Sequence, residues 1–434
     1  MDFAKYRKRN VALLIRYLGW DFGGFSIQNG PPPKGTPLRT IEGELIEALF
    51  KAKLVESNDP QSLIKAVCGR TDKGVSGFRQ AGTRAVVVRS RQRAQQPEVA
   101  PQVEEGQGNS EPSADATESS SDATAPLLAA SEETNYAKLL NRLLPKEIRV
   151  LAWSPVADDF NARFRCTKRT YKYIFPRGSL DIEAMKEAAQ MLVGMHDFRN
   201  FCKVKLTEDD EEAPVFVRTV VSCEIAPCEN WSGQSSVDLT DPYSMWELRV
   251  SAGGFLWHQI RYFMSVLLLV GKGLERPQVV EQLLDVENRP MAAPQVTPAA
   301  EVPLCFFDAE YDENQLDWQW DSDNLRGEVA QLQSLWAELQ TKAETVRYMI
   351  GELEAVDPDV TGGMKCQIDW LLRTERLFKS WSPAERARKA KPYRPLVERL
   401  KLAESSSHRE RLLSKKRKLP RDEDGSESNG DTEA

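Results

Sequence analysis

The feature that most restricts this chain is a break in its composition. From about Arg91 to Glu133 the sequence is Gln, Pro, Ser, Ala and acid, with no hydrophobic period. Such a stretch cannot bury enough apolar surface to offset the entropy of ordering it, and residues 91–134 read as a disordered acidic insert. Any fold must therefore be assembled from the segments on either side of it.

Upstream, Val11 to Leu18 is mostly apolar and stops at Gly19, as a buried strand does. Thr40 is placed to N-cap a helix that turns Ile41, Leu45, Ala48 and Leu49 to one face, with Glu42 and Glu44 at its positive end. Leu63 to Val67 and Ala85 to Val88 read as short strands. Downstream, a short helix begins at Tyr136, and strands are expected at Ile148–Trp153, Thr170–Phe175, Val217–Ile225, Met245–Val250 and Leu304–Phe307. Asp181 caps a helix expected to run to about Val193 and stop at Gly194. Phe255 to Val270 reads as a mostly apolar helix, and Pro277 opens another. Two halves that each mix strands with a few helices give an α+β class with two related sheets. The expected boundaries are 1–165 for the first half, insert included, and 166–312 for the second. A helical extension over 313–404 and a basic, then acidic, tail over 405–434 follow. In that tail Lys415-Lys416-Arg417-Lys418 fits a solvated tail, a nuclear localisation signal or an RNA contact.

The 434 residues suggest two or three domains, and 41% apolar residues suffice for real cores. The formal charge of −7 argues against a nucleic-acid binder only on average, because the charges are unevenly spread. Seven cysteines without a C-x-x-C pair, and only His196, His258 and His408, offer no zinc cluster. With no apolar h-region near the start, the odd cysteine count points to a reducing intracellular compartment. The run Phe263–Val270 is too short to cross a bilayer, so a soluble protein is expected.

Three segments carry the candidate chemistry. In Cys68–Gly77 the glycines 69, 74 and 77 surround a guanidinium, a hydroxyl, a carboxylate and an ammonium: Arg70, Thr71, Asp72 and Lys73. Pattern alone favours an Asx-turn in which Asp72 bonds its own backbone. The Gly69 to Gly74 spacing matches a phosphate loop, but Val75 and Ser76 follow, so the phosphate-clasping Lys is missing, which excludes that reading. Asn161–Arg177 interleaves cations with aromatics, as phosphates and bases demand. There Phe175 suits a core, whereas Tyr171, beside the cations, suits a base-stacking role. In Gly253–Arg261, His258 and Arg261 are three apart on one helix face; His258 reads as structural, and Arg261 as a cation able to reach a carboxylate at the site.

In chain order, the Tyr17–Phe25 segment, the Gly69–Val75 loop, Ala162-Arg163-Phe164, Arg169–Tyr173, Gly194-x-His196-Asp197-Phe198 and Phe255–Arg261 resemble the TruA family of tRNA pseudouridine synthases. The likeness runs from about Val11 to Phe307, apart from the insert. Asn200–Lys203 and Pro392–Arg399 are similar to the eukaryotic branch acting at positions 38 and 39 of the anticodon arm. The resemblance implies the pseudouridine synthase fold: two related mixed α/β halves with mainly antiparallel sheets flanking a central cleft, plus the helical C-terminal extension. It implies that a flipped uridine meets Asp72 as nucleophile or base, kept ionised by nearby arginines. Tyr171 would stack on the uracil and assist removal of the C5 proton. Arg70 would fill the vacated space or hold phosphate, while Arg163 and Arg261 orient Asp72 or bind the RNA backbone. No metal, nucleotide or redox cofactor is implied. The partner is the anticodon stem-loop of tRNA, with a homodimer carried over from bacterial relatives and a nuclear and cytoplasmic location. The competing expectations are a non-catalytic tRNA-binding or chaperone protein on the same scaffold, and a partner-binding scaffold using the C-terminal helices.

Overall fold

The computed structural model describes residues 2–27, 39–57, 67–80, 86–93, 133–203, 215–228, 240–286, 296–356, 369–372 and 393–398. Most of the acidic insert, the strand expected from Leu63 except for Val67, and the basic tail with Lys415–Lys418 lie outside them. The described chain forms two compact units, one within Met1–Tyr171 and Leu304–Gly363, the other within Lys172–Pro303 and Met364–Ala434. This division differs from the linear halves read from the sequence, because the segment from Leu304 returns to the first unit.

The first unit contains β1 (Tyr6–Tyr17), α1 (Ile41–Lys51), β2 (Ser76–Gln80), β3 (Val86–Arg93), α2 (Tyr136–Asn141) and β4 (Ile148–Pro155). The start of β5 (Lys168–Pro176) also lies here, as do β9 (Leu304–Glu310), β10 (Gln319–Trp320) and the long helix α6 (Ser322–Val356). Strand order is β10-β4-β1-β2-β9, with β3 also on β1. β1 pairs antiparallel with β4 along one edge and with β3, then β2, along the other. β2 and β9 run parallel, Gly77 opposite Phe306.

Alternation puts Val11, Leu13, Ile15 and Tyr17 on one face of β1. They pack with Ile41, Leu45 and Leu49 of α1 and with Tyr136, Leu140 and Trp153. Thr40 caps α1 as expected, its hydroxyl accepting from Gly43 N at 3.2 Å. The opposite face holds Leu14, Leu151 and Ala152 under Tyr311 and Trp318. Here α6 is anchored by Glu328, which receives Arg16 Nη2 at 2.5 Å and Arg149 Nε at 2.9 Å, all three buried. A buried carboxylate between two guanidiniums loses much if one partner is removed.

The second unit holds the rest of β5, α3 (Ile182–Gln190), β6 (Gly194–Asp197), β7 (Val217–Pro227), β8 (Met245–Ala252), α4 (Gln259–Gly271) and α5 (Val279–Leu284). Its strand order is β5-β8-β7-β6, with β7 antiparallel to both neighbours. Asp181 caps α3 through Ala184 N at 3.0 Å. Two boundaries differ from the sequence reading. Helix α3 ends at Gln190, and Gly194, at φ +113°, opens a strand rather than closing the helix. Helix α4 begins only at Gln259, because His258 adopts a left-handed φ of +62°. Tyr393 and the Leu396 amide both bond Glu275, so this part of the extension belongs to the second unit. Mixed α/β content, mainly antiparallel pairing and a long C-terminal helix agree with the expected fold class. Among the described residues no helix is long and apolar enough to cross a membrane.

Candidate active site

The Cys68–Gly77 loop is built by main-chain bonds that its own sequence makes possible. Phe25 N donates to the Thr71 carbonyl at 3.1 Å, Gly74 N to the Phe22 carbonyl at 3.2 Å, and Gly19 N to Ser76 Oγ at 3.0 Å. Below, the buried Tyr17 hydroxyl and Thr71 Oγ1 are 2.8 Å apart. Val75 N closes a tight turn on the main-chain carbonyl of Asp72 at 3.2 Å. Gly24, at φ +112°, lets the Phe22–Phe25 segment lie against this turn: a Cβ there would come within 3.1 Å of the Thr71 carbonyl. The Asp72 carboxyl is thus carried on a backbone pinned from three sides, and its side chain is half-buried.

Across the loop stands Tyr171 on β5. Its ring meets Phe306 of β9 edge-on at 4.8 Å between centroids. A Cβ on Gly69 would lie 3.1 Å from the Phe306 ring and 3.7 Å from the Tyr171 hydroxyl, so the loop backbone passes against both rings. Desolvation pushes the Tyr171 phenol well up; negative charge at Cys68 adds to this, Arg169 opposes it, and the Asp72 charge adds again. Tyr171 therefore rests as a neutral phenol at neutral pH, offering a flat face and an O–H donor. Farther along β5, Tyr173 and Phe175 are fully buried core residues.

The cations divide into two kinds. Arg70 and Arg163 are exposed. Arg163 sits in a turn whose amides at 163 and 164 donate to Asn161 Oδ1 at 3.0 and 3.3 Å, and its guanidinium lies 5.7 Å from the exposed Phe164 ring. Arg169 is 9% exposed. Its Nε and Nη2 donate to the Cys68 carbonyl at 3.2 Å each, Nη2 to the Arg163 carbonyl at 2.6 Å, and Nη1 to the Cys166 carbonyl at 3.5 Å. One planar fork thus straps the start of the Asp72 loop to the Arg163 turn. Arg169 is the residue that sequence reasoning missed, having left it undistinguished among the cations interleaved with aromatics over Asn161–Arg177. Within the second unit, Arg261 is 4% exposed and donates to the Ala299 carbonyl at 2.7 Å and to Glu301 at 3.3 Å. Among the described residues no group of three or more His, Cys, Asp or Glu is placed to hold a metal ion.

Residues 188–312 match the family model described as tRNA pseudouridine synthase. The human tRNA pseudouridine(38/39) synthase is 35% identical over 402 residues, 92% of this chain and 76% of that protein. The chain belongs to the tRNA pseudouridine synthase family. A probable tRNA pseudouridine synthase of Caenorhabditis elegans is 38% identical over 358 residues, 81% of this chain and 80% of that protein. The tRNA pseudouridine synthase A of Methanothermobacter thermautotrophicus is 28% identical over 287 residues, 66% of this chain and 77% of that protein. In this family member the segment matched by the family model contains Arg261 and β9 but neither Asp72 nor Tyr171. The assembly of those two residues around one loop is therefore a separate finding.

Proposed function

We propose that the protein isomerises uridine to pseudouridine in tRNA, at positions 38 and/or 39 of the anticodon arm, with Asp72 as the nucleophile. The observation that carries this reading is a half-buried carboxylate on a pinned loop whose backbone passes against an aromatic ring of β5. Flipping a uridine from its stack costs a few kcal/mol, and an aromatic face returns about 1–3 kcal/mol. Tyr171 supplies that face and, as a neutral phenol, a hydrogen bond to the displaced uracil. Proton removal from C5 by Tyr171 would require a phenolate, which its surroundings oppose. Arg70 and Arg163, both exposed, serve the phosphates or the space left by the base. Arg261 is read as an orienting cation, held in place by Glu301. The relatives named tRNA pseudouridine(38/39) synthase, from human, mouse, cow and yeast, support the choice of positions. The test is position-resolved mapping of pseudouridine in unmodified tRNA incubated with the purified protein. Multiple-turnover conversion at 38 or 39 is expected; tight tRNA binding without conversion would leave only the non-catalytic reading.

We also propose that the protein works as a homodimer and is found in nucleus and cytoplasm. For the dimer, Leu332, Trp336, Leu339, Ala343, Val346 and Ile350 repeat at the four-three spacing of a heptad seam on α6. Trp336, at 66%, and Val346, at 55%, are exposed. Sedimentation of the full chain decides the first, and Trp336→Glu should shift it to monomer. Imaging with and without Lys415–Lys418 decides the second.

A further inference from the structure

Behind the Asp72 loop lie two thiols that uridine isomerisation does not use. Cys68 and Cys166 are 3% and 7% exposed, both unpaired by any disulfide, and pack with Phe306 in one cluster. They are remote in sequence, yet both side chains belong to that one buried cluster, where the Cys166 Sγ donates to the Lys168 carbonyl at 3.4 Å. Arg169 holds both backbones, donating to the Cys68 carbonyl at 3.2 Å and to the Cys166 carbonyl at 3.5 Å. Cys68 directly precedes Gly69, the residue that passes against Tyr171 and Phe306.

The surroundings make these two sulfurs unequal. The neighbouring Cys166 side chain draws the Cys68 thiol down, against the cost of burial and with help from the Arg169 charge. The same contact, with burial, pushes Cys166 up. Of the two, Cys68 gives up its proton the more readily, as an attacking cysteine does, and Cys166 holds its proton, as a resolving one does. By contrast, burial pushes the thiols of Cys202, Cys223 and Cys228 up, which slows their reaction with oxidants.

We propose that Cys68 and Cys166 form a peroxide-sensitive modification site whose reversible disulfide displaces the Asp72 loop. The effect on catalysis rests on the reading of Asp72 given above. The Cys68 thiolate attacks one oxygen of hydrogen peroxide; the O–O bond breaks, leaving Cys68 as the sulfenic acid, and the departing hydroxide takes up the proton that Cys68 released, becoming water. The Cys166 sulfur then attacks the Cys68 sulfur, the S–O bond breaks, and a second water leaves with the Cys166 proton. Two thiols are oxidised and one peroxide is reduced. A disulfide needs its sulfurs about 2.05 Å apart at a fixed dihedral, so closure re-aims both side chains and pulls on the backbone at 68, next to Gly69 of the loop. A displacement of about 1 Å at a catalytic group costs on the order of 100-fold in rate.

The experiment treats the reduced full-length protein with stoichiometric hydrogen peroxide and maps its peptides without reductant. Uridine conversion is measured before treatment, after it, and again after dithiothreitol. A Cys68–Cys166 crosslink is expected as the main product, with conversion slowed on the order of 100-fold and restored by the reductant; Cys166→Ser should give no such crosslink. Peroxide consumption without that crosslink overturns the proposal, as does a crosslink that leaves the rate unchanged. If even the reduced protein fails to convert uridine, the proposed function falls, while the peptide map still decides the thiol pairing.

Discussion

The Asp72 loop and the Arg163 turn both bring charge to the same part of the first unit, but they are held differently. The loop's main chain is bonded to Phe22 and Phe25, its Thr71 hydroxyl to Tyr17 from beneath, and its Cys68 carbonyl to Arg169 from behind. The turn has Asn161 and the Arg169 fork behind its backbone, while Arg163, Phe164 and Arg165 project into solvent. A group that must meet a reacting atom benefits from fixed geometry. A group that gathers phosphates works through charge and tolerates motion. The contrast assigns chemistry to the loop and RNA capture to the turn, with Arg169 as the join.

Among substitutions beside the carboxylate, the largest effect should fall on Arg169. Arg169→Ala leaves the carbonyls of Cys68 and Arg163 without their buried donor, costing about 1–3 kcal/mol in unfolding free energy. It should also lower kcat on the order of 100-fold by loosening the loop; Arg169→Lys, which lacks the fork, should recover only part. Denaturant melts and single-turnover kinetics read the two effects separately. Next comes Tyr171. Tyr171→Leu removes the stacking face, worth about 1–3 kcal/mol, and should raise KM as well as lower kcat. Tyr171→Phe keeps the face and should lower kcat with KM nearly unchanged. Because burial holds the wild-type phenol neutral, no rise in rate between neutral pH and the ordinary tyrosine range should depend on Tyr171, which a pH profile of the Phe variant checks. The smallest effect is expected at Arg163. Arg163→Ala should leave melting unchanged, weaken tRNA binding a few-fold, roughly, and lower the slope of log K against log salt by about 1. Loss of kcat at saturating tRNA in that variant would erase the distinction between loop and turn.

Much of the fold was legible because its signals are local. The apolar runs of β1 and β4 and the caps Thr40 and Asp181 act within a few residues of themselves. Boundaries failed where a single backbone angle decides, as at His258, which delays α4, and at Gly194, which starts β6. Long-range partners were not legible. Nothing around Arg169 distinguishes it from its exposed neighbours until Cys68, distant in sequence, folds over it. The parallel pairing of β2 with β9, which sets Phe306 beside the loop, likewise joins segments far apart in the chain. At Asp72 the pattern spoke for an ordinary turn. The structure does contain a turn, closed by the main-chain carbonyl of Asp72, and it adds the aromatic neighbour that a simple turn does not need.

The most direct measurement compares wild-type protein and Asp72→Ala on unmodified tRNA, scoring pseudouridine at positions 38 and 39 together with melting temperature and tRNA affinity. The account predicts loss of conversion by at least about 1,000-fold, as for removal of a nucleophile, with stability and affinity nearly intact. Conversion by Asp72→Ala at a rate near that of the wild type would contradict it.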